Sequence, residues 1–140
     1  MSLYLLDTTT ISDFIKRQPQ VTDNLLAINP NRIYISVISK YEIAYGLAKN
    51  PKLKTIVGNY LDELYRRTNN VDLTASIAVR GGEIANSLKE KGKPIGVPDV
   101  LIAATSLEEE LIVVTSNTKH FERVEKVEFV DWRVGRTRSS

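Results

Sequence analysis

The 140-residue chain contains no cysteine. That excludes disulfides, thiolate nucleophiles and zinc sites with sulfur ligands, and it leaves the redox compartment open. Its one histidine, His120, cannot build a multi-histidine metal site. No apolar run approaches the roughly 20 residues needed to span a bilayer. The opening Met1-Ser2-Leu3-Tyr4-Leu5-Leu6-Asp7 has no basic n-region and reaches an acid at once, unlike a secretory signal. A glycine-rich phosphate loop is absent, and so are repeats, linkers and low-complexity segments. What remains is the length of one ordinary domain, with 42% hydrophobic and 26% charged residues. The expectation is a soluble, cytoplasmic protein with no membrane partner.

Net charge is +2, but three arginines and no acid fall in residues 133–140. Residues 1–132 hold 16 basic and 17 acidic groups, net −1. Residues 1–132 therefore read as the domain and 133–140 as a basic, flexible tail. The body is not the strongly basic surface of a general nucleic-acid binder. A phosphate-rich substrate would need a local basic patch, a metal or the combined surface of a dimer.

Short apolar runs alternate with helical periodicity. Leu3–Leu6 reads as a buried strand ending in the polar Asp7-Thr8-Thr9-Thr10, followed by Ile11, Phe14 and Ile15 at helical spacing. A second helix is expected over Gln20–Ile28, stopped at Asn29-Pro30-Asn31. Arg32–Ser36 reads as a strand, and Ser36 or Ser39 caps a helix running to about Lys49. Asn50-Pro51 breaks it. A long amphipathic helix over Lys52–Arg67 follows, with Leu53, Ile56, Tyr60 and Leu64 on one face. A strand at Val71–Leu73, a helix capped by Thr74 and ending near Gly92, and an apolar helix from Pro98 come next. Leu111–Val114 is the clearest buried strand, ending in Thr115-Ser116-Asn117. A short helix near Lys119–Arg123 and an edge strand near Val127–Val130 complete an α/β fold with a mainly parallel sheet. Ligands of such sheets sit beyond the carboxyl ends of strands, so chemistry is expected at the two polar clusters.

Three acids sit among apolar or small neighbours: Asp7, Glu42 and Asp99. Carboxylates gathered in a cleft repel one another, and burial raises their pKa. A hard cation such as Mg²⁺ or Mn²⁺ relieves both problems. Each acid also has a plainer explanation. Asp7 could cap the next helix. Glu42, three residues after Ser39, has capping-box spacing. Asp99 in a first turn complements the helix dipole.

Four ordered segments carry a resemblance: Tyr4–Thr9, Ile35–Gly46, Pro94–Ala104 and Ile112–Val124. Together they resemble PIN domains, and in order and spacing they are most similar to the VapC toxins of toxin–antitoxin pairs. The likeness runs over residues 3–132. It implies a three-layer α/β/α sandwich, cleavage of RNA with Mg²⁺ or Mn²⁺, a homodimer, and inhibition by a cognate VapB-like antitoxin. Transfer RNA is a substrate class among such relatives. Asp7, Glu42 and Asp99 match the family's three principal acids. Asn117 is a neutral oxygen ligand at the fourth position, and Thr8 or Thr115 supplies a supporting hydroxyl.

Two departures stand out. The family commonly has asparagine where this chain has Thr9, and His120 stands where relatives often place an acid. His120 is either a surface residue or a proton donor. The implied reaction is in-line hydrolysis by water activated on the metal, with Lys40, Lys93, Lys119 and Arg123 as candidate phosphate contacts. Tyr41 and Tyr45 read as core or partner-facing. The helix bearing Leu53, Ile56, Tyr60 and Leu64 is expected to pack with its neighbour into a clip that accepts the antitoxin. The alternative is a non-catalytic PIN-fold module that binds RNA or a partner. An aspartyl phosphotransferase would want a second aspartate at position 9, which is threonine.

Overall fold

The computed structural model describes residues 1–134 and the backbone of residues 136 and 137. Strand β1 (Tyr4–Leu6) leads into α1 (Thr8–Ile15) and α2 (Pro19–Ala27). A short 3-10 turn (Pro30–Arg32) precedes β2 (Ile33–Ser36), α3 (Val37–Ala48), α4 (Pro51–Arg67) and β3 (Asn69–Val71). Then come α5 (Ala75–Glu90), α6 (Val97–Glu109), β4 (Ile112–Val114), α7 (Thr118–Glu122), β5 (Phe129–Asp131) and β6 (Arg136–Thr137). The described strands form one sheet in the order β3-β2-β1-β4-β5-β6. The first five are parallel, and β6 runs antiparallel to β5. This is the α/β/α sandwich that the sequence implies.

The central strands β1, β2 and β4 are largely apolar on both faces because each face carries helices. Tyr4, Leu6, Ile33, Ile35, Ile112, Val114 and Val130 point into one core, shared with residues of α1 to α4. Leu5, Val113 and Phe129, at the alternate positions, point into a second core with α5, α6 and α7. Helices α1 to α5 are each started by a side-chain cap. Asp7, Ser36, Asn50 and Thr74 accept backbone N–H groups at the first turns of α1, α3, α4 and α5. Gly92, at φ +70°, turns the chain after α5 in the left-handed conformation that favours glycine.

Chain order creates the functional crevice. From β1 the sheet grows toward β2 and β3 on one side and toward β4 and β5 on the other. The carboxyl ends of β1 and β4 flank this switch point, where α/β sheets bind ligands. Leu6 pairs with Val114, so the next residues, Asp7 and Thr115, stand side by side.

Several expected boundaries move. The β3 strand is Asn69–Val71 rather than Val71–Leu73, because Asn69 pairs with Tyr34 and its amide donates to the carbonyls of Asn31 and Ile33. Helix α2 begins at Pro19, since the Gln18 side chain caps Val21 N. The strand expected at the edge, β5, is covered by β6. Of the supposed tail, Arg133 is held by two bonds of 2.7 Å to Asp13. Residues 135 and 138–140 lie outside the described set.

Candidate active site

Asp7 leaves β1 as the N-cap of α1 and is 2% exposed. Its Oδ1 accepts Thr8 N at 2.7 Å. Its Oδ2 accepts the Thr115 hydroxyl at 2.7 Å and the Thr9 hydroxyl at 3.3 Å. Burial pushes the carboxyl up, the Thr115 hydroxyl draws it down, Asp99 raises it, Thr8 N lowers it and Glu42 raises it. The balance is about 6, against 3.8 for a free aspartate. The sheet switch point, the middle of α3 and the first turn of α6 have thus brought Glu42 and Asp99 within electrostatic reach of Asp7.

Glu42 is half-buried on α3. The capping-box explanation does not hold for it: Ser36 caps α3, and Ser39 is buried with its hydroxyl toward Leu6 O at 3.5 Å. Instead Glu42 Oε1 accepts the Thr8 hydroxyl at 2.5 Å, across α1. The capping explanation for Asp7 does hold, and it is compatible with the site, because only Oδ1 is used for it.

Asp99 lies in the first turn of α6, whose N-cap Gly96 supplies no side-chain bond. Its Oδ2 accepts the Asn117 amide at 3.2 Å and lies 2.5 Å from His120 Nδ1. Asn117 Nδ2 and His120 Nδ1 are 2.8 Å apart, so the three side chains form one cluster. The surface reading of His120 is therefore corrected. Three residues after Asn117 at the start of α7, it faces back across the loop onto Asp99.

Thr9, the other departure, is also part of the assembly. Its hydroxyl reaches Asp7, accepts Ser116 N at 3.1 Å and lies 3.4 Å from the Thr115 hydroxyl. Thr115 Oγ1 in turn accepts Asn117 N at 2.9 Å. Of the candidate hydroxyls, Thr8 serves Glu42 and Thr115 serves Asp7 directly.

The donor set fits a hard cation. Three carboxylates with hydroxyl and amide oxygens nearby suit Mg²⁺ or Mn²⁺. Asp99 Oδ1 and Glu42 Oε2 accept no hydrogen bond among the described residues. No three acidic or histidine side chains among those residues close tightly enough to grip an ion by themselves. Mg²⁺ is commonly held through one or two protein carboxylates and keeps several waters.

The four candidate phosphate contacts divide. Lys93, Lys119 and Arg123 line one cavity. Lys40 does not join them: it donates to Asn70 at 2.8 Å, lies 4.8 Å over the Tyr65 ring, and lines a cleft between α3 and α4. Burial holds its ammonium below the usual lysine range. Tyr41 and Tyr45 are exposed and stacked on each other at 6.4 Å, so the core reading fails for both.

Comparisons with known proteins identify the family. The profile of the PIN domain matches residues 4–127. The tRNA(fMet)-specific endonuclease VapC of Salmonella typhimurium (strain LT2) is 31% identical, covering 94% of this chain and 99% of its own. Ribonuclease VapC2 of Rickettsia felis is 35% identical, covering 93% and 98%. The Rickettsia felis VapBC2 structure, bound to a DNA fragment from its promoter, superposes with a TM-score of 0.83 at 31% identity, over 93% of this chain and 98% of that one. The chain belongs to the PIN-domain family and, within it, to the VapC group.

Proposed function

We propose that this chain is the toxin of a toxin–antitoxin pair, an endoribonuclease that hydrolyses RNA phosphodiester bonds with Mg²⁺ or Mn²⁺. The observation that carries the reading is Asp7. It is a buried carboxyl at the switch point, pushed up to about 6 with Asp99 and Glu42 as charged neighbours. Such a cluster is costly for a chain to maintain without a cation to share.

Asp7, Asp99 and Glu42 would hold the ion. When bound, it supplies positive charge that acidifies water and offsets charge developing on the scissile phosphate. The chain's own work is positioning. Thr115 and Thr9 fix Asp7 Oδ2, Thr8 orients Glu42, and Asn117 and His120 hold Asp99. Rigid placement of these oxygens sets where the water and the phosphate meet. The sugar 2′-OH is not needed as nucleophile, so preference for RNA rests on shape and 2′-OH contacts.

The VapC of Salmonella typhimurium carries tRNA(fMet) specificity in its name, and structured transfer RNA is the substrate class proposed here. A VapB-like antitoxin is the proposed inhibitor, since the superposing structures are VapBC assemblies. A homodimer and a cytoplasmic site of action belong to the same reading. Among the described residues no helix is long and apolar enough to cross a membrane.

The test is cleavage of transfer RNA by the purified protein with Mg²⁺ or Mn²⁺, with chelator, and in Asp7→Asn and Asp99→Asn variants. Loss of activity on chelation, and at least about a hundredfold loss in each variant, is expected, beyond the 10–100-fold typical of residues that only support a metal ligand. Cleavage that survives both treatments would sink the metal mechanism. A second reading, a non-catalytic PIN-fold binder, has one observation on its side: Asp99 Oδ2 is already engaged by Asn117 and His120. It predicts RNA or partner binding with no divalent-dependent cutting.

A further inference from the structure

A cavity of about 620 Å³ is lined by Leu88, Lys91, Lys93, Lys119, Glu122 and Arg123. Four cations meet one acid there, in a chain whose first 132 residues are net −1. The positive charge is thus concentrated locally. It comes from two separate stretches of backbone: residues 88–93, where α5 ends and the loop into α6 begins, and residues 119–123 in and just after α7. Lys119 and Arg123 are four residues apart and share a side of α7, while His120, next to Lys119, turns to Asp99. Arg123 Nη1 donates to Pro94 O at 3.1 Å, which ties the cavity to the segment that delivers Asp99. Buried Leu88 belongs to its lining.

An adjoining cavity of about 300 Å³ shares Leu88, Lys91 and Arg123 but is more nearly neutralised, with two acids among four cations. Glu83 and Glu125 line it with Arg80 and Lys126, and Arg80 bonds Glu108 at 2.5 Å. Lys91 meets Glu125 at 3.7 Å, an exposed pair that opens at little cost. An anion therefore favours the larger cavity.

We infer that this cavity is a phosphate-binding subsite that holds the RNA backbone flanking the bond presented to Asp7, Asp99 and Glu42. The inference rests on the ribonuclease reading. A strand of phosphates entering a site built from three carboxylates meets repulsion, and a cationic cavity whose Lys119 adjoins His120 in sequence would offset it. Arginine offers a planar fork to phosphate and the lysines offer mobile point charges. Such contacts carry affinity and position the strand without reading its sequence. An acidic peptide would have no reason to extend toward the carboxylates.

The experiment measures binding of a labelled 12-nucleotide single-stranded RNA in chelator by fluorescence anisotropy. The proteins are wild type, Lys52→Gln on the exposed surface of α4 as a control outside the cavity, Lys93→Gln/Lys119→Gln, and the triple variant adding Arg123→Gln. The double variant keeps the Arg123–Pro94 bond, so it reports on charge even if the triple variant is poorly folded. Kd should rise about tenfold in the double variant and further in the triple, and stay unchanged in the control. The slope of log affinity against log salt should fall by about 0.7 for each phosphate no longer neutralised. Unchanged Kd and slope in a double variant that melts like wild type would overturn the subsite. So would poly-glutamate that binds with equal affinity and is weakened in parallel with RNA. Wild-type protein that never cuts RNA, yet shows these Kd changes, would sink the ribonuclease reading and leave the subsite. Intact metal-dependent cutting with unchanged Kd would do the reverse.

Discussion

Asp7 is pulled two ways. As a helix cap it accepts Thr8 N, which favours its charged form, yet it is buried beside two other acids, and burial wins. Its carboxyl titrates near 6 in the folded protein and at 3.8 when free. Between those values the unfolded chain has lost its proton while the folded chain keeps it. Asp7 therefore subtracts stability progressively as pH rises from about 4 to 6, and by a constant amount above, about 3 kcal/mol in all. The metal-free wild type should lose stability relative to Asp7→Asn across that window. The asparagine side chain still caps the helix, so at pH 7 the variant should melt higher. Thermal melts of the two proteins from pH 4 to 7 check this, and equal curves would remove buried charge as the cause. Thr115 carries a second prediction. Its hydroxyl donates to Asp7 and accepts Asn117 N, so Thr115→Val should lower kcat for RNA about 10–100-fold, the range seen for groups that orient metal ligands. Thr115→Ser, which keeps the hydroxyl, should recover most of it.

Among the elements, the helices meet at different closeness. A Cβ on Gly81 of α5 would lie 3.0 Å from Leu101 Cδ2 of α6, whereas one on Gly58 of α4 meets nothing within 4 Å. Gly58→Ala should therefore stabilise the protein by about 0.5–1 kcal/mol through helix propensity alone. Gly81→Ala should gain less or lose, and chemical denaturation separates the two. Asp13 of α1, only 7% exposed, is met by both bonds from Arg133. Arg133→Gln should cost about 2–3 kcal/mol, chiefly because a carboxylate is left buried without its partner; loss of less than half of that would mean water reaches Asp13. Neither feature was visible beforehand. Apolar period and cap residues marked β1, β2, α3 to α6 and β4, because those signals are local. The Asp13–Arg133 pair spans 120 positions, and β6 has no apolar alternation to announce it. The same division holds at the site. Asp7, Glu42 and Asp99 stood out as acids in apolar surroundings. The His120–Asp99 contact depends on how α7 lies against α6, which no spacing encodes, and Tyr41 and Tyr45 lie on the outer side of α3, where aromatic content alone misleads.

At the scale of the whole molecule, the proposed ion binding would be coupled to folding. Three carboxylates held near each other repel in the folded chain and separate in the unfolded one, so a cation shared by them binds the native state selectively. At ten times its Kd such an ion adds about 1.4 kcal/mol to stability. For a domain of this size that is a rise in Tm of about 4 °C. Melting the protein against Mg²⁺ or Mn²⁺ should show such a rise, reversed by chelator, with no RNA present. Because the ion competes with the proton on Asp7, the rise should be larger at pH 7.5 than at pH 5. Asp7→Asn and Asp99→Asn should each cut it to under about 1 °C, while Lys40→Gln leaves it whole. An equal rise in all four proteins would mean a general salt effect, and the three acids would then have no ion in common.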